Sequence, residues 1–223
     1  MLFQKVISSP IRIDEMDAVL STCMLLATLS FSAEKFDPSN SWIFSSDPHG
    51  LSWIQQQSGL KPLLIELRDH LPKSAWISVF NDADDAFDTY SDERPGIVGL
   101  PPVFVQLCGL NETSTVDNSP YHAPLRLLSP LIPLHGGIES FGKRISFIGR
   151  IRPPFFRLLL DKDPPALLIL CWWLAGMISL GQWWYYDRAR SECMAICMYL
   201  EELGDPRILP LLETPAQKCG YVL

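Results

Sequence analysis

The stretch PPALLILCWWLAGMISLGQWWYYDRARSECMAICMYLEEL, residues 164–203, decides the fold. No charged residue stands between Pro164 and Tyr186. That run is long enough to cross a bilayer, and it ends in Trp183, Trp184, Tyr185 and Tyr186, aromatics of the kind enriched at membrane interfaces. Three features count against a span. Paired prolines open the run, Gly176, Ser179, Gly181 and Gln182 weaken its second half, and an amphipathic helix follows at once. In that helix Ala189, Cys193, Ile196, Cys197 and Leu200 form one apolar stripe, with Arg190, Ser191 and Glu201 off it. A chain that supplies such helices has a core in which to bury the uncharged run, so the expectation is a buried helix and no membrane span.

On either side of this segment, capping residues followed by proline recur at Asp47-Pro48, Ser119-Pro120, Asp163-Pro164, Asp205-Pro206 and Thr214-Pro215. A side-chain oxygen there accepts orphan amide protons, and proline's missing N–H costs nothing at the first helical position. Gly59, Gly204 and Gly220 each follow a helical pattern where a left-handed C-cap belongs. From Asp14 to Phe36, Met16, Val19, Leu20, Cys23, Ala27 and Phe31 recur at helical spacing among further apolar residues, predicting a central helix. The polar segments 81–96 and 111–120 read as loops. The expectation is an all-α single domain over 1–223, an irregular bundle of roughly nine helices around a buried apolar helix.

The bulk composition sets limits on function. The chain has 223 residues, 48% of them hydrophobic, and a net charge of -7 with a pI near 5.0. An acidic chain lacks the cationic surface that direct nucleic-acid binding requires. Cys23, Cys108, Cys171, Cys193, Cys197 and Cys219 sit mostly in apolar runs, the context of reduced thiols, which points to an intracellular protein.

No catalytic motif is present: neither G-x-S-x-G nor H-E-x-x-H occurs. Cys193 and Cys197, at i and i+4, have the geometry of a metal-ligand pair, but both belong to the apolar stripe and read as core. Asp82, Asp84, Asp88 and Glu93 echo a calcium loop, yet Phe87 replaces the turn glycine, leaving a solvated acidic loop. His49, His70, His122 and His135 are dispersed near helix ends or prolines and read as surface or capping residues. Lys143, Arg144, Arg150, Arg152 and Arg157 form the one basic cluster, read as a solvated face. No cofactor, metal ligand or catalytic residue is assigned.

Several patterns together carry a family resemblance. They are P-x-A-L-x-I-L, a WW pair before R-A-R-x-E-C, I-C-x-Y-L-E, D-P-R-I and P-A-x-x-C-G-Y across 164–221, with SWIFSSDPHGLSWIQQQSGLKPLL at 41–64 and SPYHAPLRLLSPL at 119–131. These resemble the C-terminal regulatory domain of fungal zinc binuclear cluster transcription factors, in particular the sterol uptake control regulator-like group. The resemblance implies a helical ligand-sensing module with an apolar pocket, placed in the nucleus or cytoplasm. Two departures stand out. The cysteines are too widely spaced to form the family's C-x2-C-x6-C DNA-binding head, and the helices that precede residue 14 in the family are absent. What remains looks like the regulatory half alone, trimmed at its N-terminal edge.

The functional expectation is a regulator-like, non-catalytic protein of fungal secondary metabolism. It would bind a hydrophobic small molecule or a protein partner such as a DNA-binding transcription factor. Trp172, Trp173, Met177, Trp183, Trp184 and Tyr185 are the candidate ligand-binding residues, because aromatics left unfilled by protein neighbours enclose ligands. A homodimer with the 14–36 helix near its interface would cover the face that missing helices leave open. The alternative is a pocket recruited as a metal-free cyclase or isomerase acting on a terpenoid or polyketide.

Overall fold

In the computed structural model, described over residues 11–33, 35–45, 47, 49–57, 59–78, 92–134, 137 and 140–223, the regular elements are helices, and no strand occurs among the described residues. The α-helices are α1 (Met16–Phe31), α2 (Ser52–Gln57), α3 (Leu60–Glu66), α4 (Pro102–Leu107), α5 (His122–Leu128), α6 (Phe141–Gly149), α7 (Pro153–Leu160), α8 (Pro164–Ile178), α9 (Trp183–Leu203) and α10 (Leu209–Cys219). Short 3-10 turns join several of them. The all-α class is as the helical patterning requires.

The uncharged run is the middle of the protein. Asp163 starts α8 by accepting the Ala166 amide at 3.0 Å, with Pro164 at the first helical position. Such a cap stabilises a helix by about 1 kcal/mol. From Ala166 to Cys171 every residue is buried, as are Trp173, Leu174, Met177 and Ile178. A helix apolar on all sides must be surrounded, and α9 and α10 pack along it with α5, α6 and α7. No helix of the described residues is long and apolar enough to cross a membrane.

The central helix is therefore α8, which corrects the expectation that 14–36 fills that place. α1 buries Met16, Val19, Leu20, Cys23 and Phe31 but leaves Leu25 63% and Leu29 66% exposed. Its first half closes a small separate cluster with Leu63 and Leu67, and its last residue, Phe31, enters the main core.

The terminators at Gly204 and Gly220 hold: both adopt left-handed conformations, φ +66 and +78, which a side chain would strain. Gly59 does not, since it lies at φ -69 before α3 rather than closing α2. Thr214-Pro215 starts no helix. Pro215 lies inside α10, which runs through it. At Ser119-Pro120 the first turn of α5 begins later, with Tyr121 at its N-cap and no side-chain cap bond. Pro48 and the residues of the imagined calcium loop before Asp92 lie outside the described residues.

Two buried arginines show how the fold treats charge. Arg126, on α5, is ion-paired with Asp92 at 3.3 Å, bonds Gly96 O at 2.7 Å and also donates to Val98 O. Arg94 and Arg126 together hold the Asp92 carboxyl down at about 2, with Arg94 the larger influence. His122, also on α5, is fully buried with Nε2 at 3.0 Å from Gly96 O, which corrects its reading as a surface residue. The second buried arginine, Arg144, belongs to the site below.

Candidate functional site

α5 and the turn after it, α8 and α10 enclose a cleft of about 360 Å³. Leu128, Leu131, Ile132, Pro133 and Leu134 form one wall; Trp172, Ala175, Gly176 and Ser179 form the floor along α8; Thr214 and Lys218 border it from α10. Arg144, from α6, completes the lining. The volume is in the range of small-molecule sites, and mostly apolar walls with a few polar groups are their usual chemistry.

Of the six aromatic and methionine candidates, the structure brings Trp172 to this cleft. Its indole Nε1 donates to Leu211 O at 2.9 Å, which fixes the ring between α8 and α10. Trp173 and Tyr185 instead join an aromatic core: Phe31 stacks on Trp173 at 5.8 Å and on Tyr185 at 5.3 Å, and Phe147 stacks on Trp173 at 5.6 Å. Met177 is fully buried. Trp184 is half-buried, set edge-on to Tyr185. Trp183 is 86% exposed and lies in neither core nor cleft. The face of α9 that begins at Tyr185 packs inward, and Trp183, two residues earlier, is on the opposite side.

Arg144 is the residue that sequence reasoning places wrongly. It is only 4% exposed, not part of a solvated face. The signal is its spacing: Arg144, Phe147 and Ile148 are the buried residues of α6, at the i, i+3, i+4 positions of one stripe. Trp173 Nε1 donates to the Arg144 carbonyl at 2.7 Å, which pins this turn of α6 to α8. The guanidinium donates to Leu134 O at 2.7 Å, and its buried Nε has no partner. No carboxylate pairs with it among the described residues. Burial pushes its pKa below the ordinary arginine value, with a partial opposing pull from Tyr185. Removing a cation from water without a counter-charge costs several kcal/mol even after relaxation. Tyr185 is likewise buried with its hydroxyl unpartnered, and burial pushes the phenol up to about 12.

A second polar constellation lies on α9, away from the cleft lining. Glu192 is buried, accepts a hydrogen bond from the Ser41 hydroxyl, and faces Arg188, one helical turn earlier, at 3.6 Å. Burial raises its carboxyl to about 7, against the opposing influence of Ser41 and Arg188. Nearby, Ser191 Oγ accepts the Asp37 amide at 2.9 Å, and Arg188 Nη2 donates to Ser32 O at 3.1 Å. These contacts fasten the segment after α1 to α9.

Cysteines from three helices meet in the core. Cys171 Sγ lies 3.7 Å from Cys193 Sγ and 3.6 Å from Cys197 Sγ, with Cys219 close to the latter two. These separations are far beyond a disulfide bond, and all six cysteines are free. Cys171, Cys193 and Cys197 are the described group able to offer three soft ligands to one metal ion. The sulfurs of Cys171 and Cys193, however, face carbonyl oxygens: Cys193 Sγ is 3.7 Å from Pro215 O and Cys171 Sγ is 3.7 Å from Cys193 O. That suits S–H donors at Cys171 and Cys193, whose pKa burial raises, whereas hydrogen bonds from the neighbouring thiols push that of Cys197 down. The cluster behaves as small apolar side chains that let α8, α9 and α10 approach closely.

No family profile, curated protein or solved structure matches the chain.

Proposed function

We propose that the protein is a regulator-like helical module that binds a hydrophobic small molecule in the cleft between α5, α8 and α10. The observation that carries this reading is the cleft itself, about 360 Å³ with aliphatic walls and the Trp172 ring in its floor. Its lining contains no carboxylate, imidazole or thiol among the described residues, so it offers binding surface without an acid–base pair. Glu192, whose carboxyl is raised toward neutrality, bonds Ser41 and is not part of the lining. The sequence resemblance to the regulatory domains of fungal zinc binuclear cluster factors supports a role in metabolite gene expression, exerted through a DNA-binding partner. The exposed Leu25, Leu26 and Leu29 on α1 support a homodimer formed over that helix.

Native mass spectrometry of protein purified from its own host tests the reading. A co-purifying apolar molecule that is lost in a variant with the cleft filled, Ala175→Trp, is the expected result. Retention of the same molecule by that variant places it elsewhere and overturns the assignment.

A further inference from the structure

The cleft holds a charge that no carboxylate among the described residues matches. Arg126 shows the usual solution for a buried guanidinium here, a carboxylate and several carbonyls. Arg144, equally buried, has one carbonyl, from Leu134, and no carboxylate among the described residues. Lys218, exposed at the other border of the same cleft, also has no carboxylate partner among them.

The neighbourhood is built to keep the guanidinium there. A methyl group at Gly176 would lie 2.0 Å from Arg144 Nη1, so the side chain occupies the space that a glycine in the last turns of α8 leaves open. Glycine is a poor residue for a helix interior, and its presence here is explained by the group that crosses it. Trp173 holds the Arg144 backbone from the same helix. The cation is thus seated by two residues of α8, at the end of a cleft whose wall from Leu128 to Leu134 is aliphatic.

We propose that this cleft binds an amphipathic anion, a hydrophobic chain or ring system ending in a carboxylate, with Arg144 as its counter-ion and Lys218 as a second, outer cation. The proposal rests on the reading of the cleft as a small-molecule site and names the chemical class of its ligand. A guanidinium presents paired N–H donors that match the two oxygens of a carboxylate. Leu128, Leu131, Ile132 and Trp172 receive the apolar part. A neutral molecule of the same shape would leave the buried charge as it stands and gain only the apolar contacts.

The test is calorimetric titration with decanoate and with decanol, which share a chain and differ in charge. The wild-type protein binds decanoate at least tenfold more tightly than decanol. Arg144→Gln removes that preference and leaves decanol binding unchanged. Gly176→Ala, which keeps the charge but displaces the guanidinium, also removes most of it. Leu131→Ala weakens both ligands alike. Thermal melts of each variant establish that it is folded. Equal affinity of the wild type for the two ligands, or an undiminished decanoate preference in both Arg144→Gln and Gly176→Ala, overturns the anion proposal and leaves the cleft reading standing. Failure of the wild type to bind either ligand overturns both.

Discussion

The indole of Trp172 hydrogen-bonds to the carbonyl oxygen of Leu211, and Leu211 is the residue whose helical partner is missing because Pro215 has no N–H. A proline inside a helix normally leaves the carbonyl four residues earlier unsatisfied. Here a side chain of α8 supplies the donor that α10 lacks, and α10 continues through its proline to Cys219.

Replacing Trp172 by phenylalanine is expected to lower stability by about 1 kcal/mol, the usual net worth of such a bond. Pro215→Ala restores a backbone donor to Leu211, so the same replacement should cost less in that background. Urea denaturation of the wild type, both single variants and the double variant measures the coupling. Strictly additive losses would show that the indole and the missing amide are unrelated.

Glu192 makes stability depend on pH in a defined direction. Its carboxyl is raised on folding, to about 7, so its contribution is fully present below the ordinary carboxylate range and is lost as the pH climbs through 7. Above that pH the fold holds a buried charge disfavoured by about 3 kcal/mol, since each tenfold weakening of the acid corresponds to roughly 1.4 kcal/mol. Glu192→Gln should therefore be more stable than wild type at pH 8 and show no gain at pH 5. Chemical denaturation at the two pH values checks it, and a gain confined to pH 5 would reverse the sign.

The two buried arginines should respond oppositely to loss of charge. Arg126→Gln breaks a buried pair with Asp92 and frees the carbonyls of Gly96 and Val98, a loss of about 3 kcal/mol. Arg144→Gln removes a cation that has no carboxylate partner among the described residues and should be neutral or stabilising without ligand. Melting temperatures of the two variants suffice to compare them.

Burial raises the pKa of the Cys171 and Cys193 thiols. The neighbouring thiols push the Cys197 pKa down, so burial alone keeps that sulfur from reagents. None of Cys171, Cys193, Cys197 and Cys219 should react with iodoacetamide at pH 8 until the protein unfolds, so their labelling rate should follow denaturant concentration. Rapid modification of any of the four in the native protein would contradict the packed-thiol description.

Local chemistry is legible in the sequence, and contacts between distant elements are not. Asp163, Gly204 and Gly220 act on their own neighbours in the chain, and each does what its residue type dictates. Pro215 looks like a helix start because the donor that lets it sit inside a helix comes from Trp172, on a different helix. The apolar content of 14–36 suggests centrality, but Leu25 and Leu29 face outward. Among the candidate ligand-binding residues, aromatic character alone does not separate Trp172 from Trp173, whose ring is consumed by Phe31 and Phe147. Arg144 is hidden within a run of basic residues, although its register with Phe147 and Ile148 already sets it apart from them.

The close approach of Arg144 to Gly176 also sets a rule for inheritance. A lineage that keeps the long cation cannot accept a side chain at the glycine without moving the cation, whereas one that first shortens the residue at 144 is free to fill the gap and gain helix stability. The order of the two changes therefore matters. Descendants carrying both replacements would have passed through the loss of the arginine, and the glycine alone, kept without it, would mark a protein caught between the two steps.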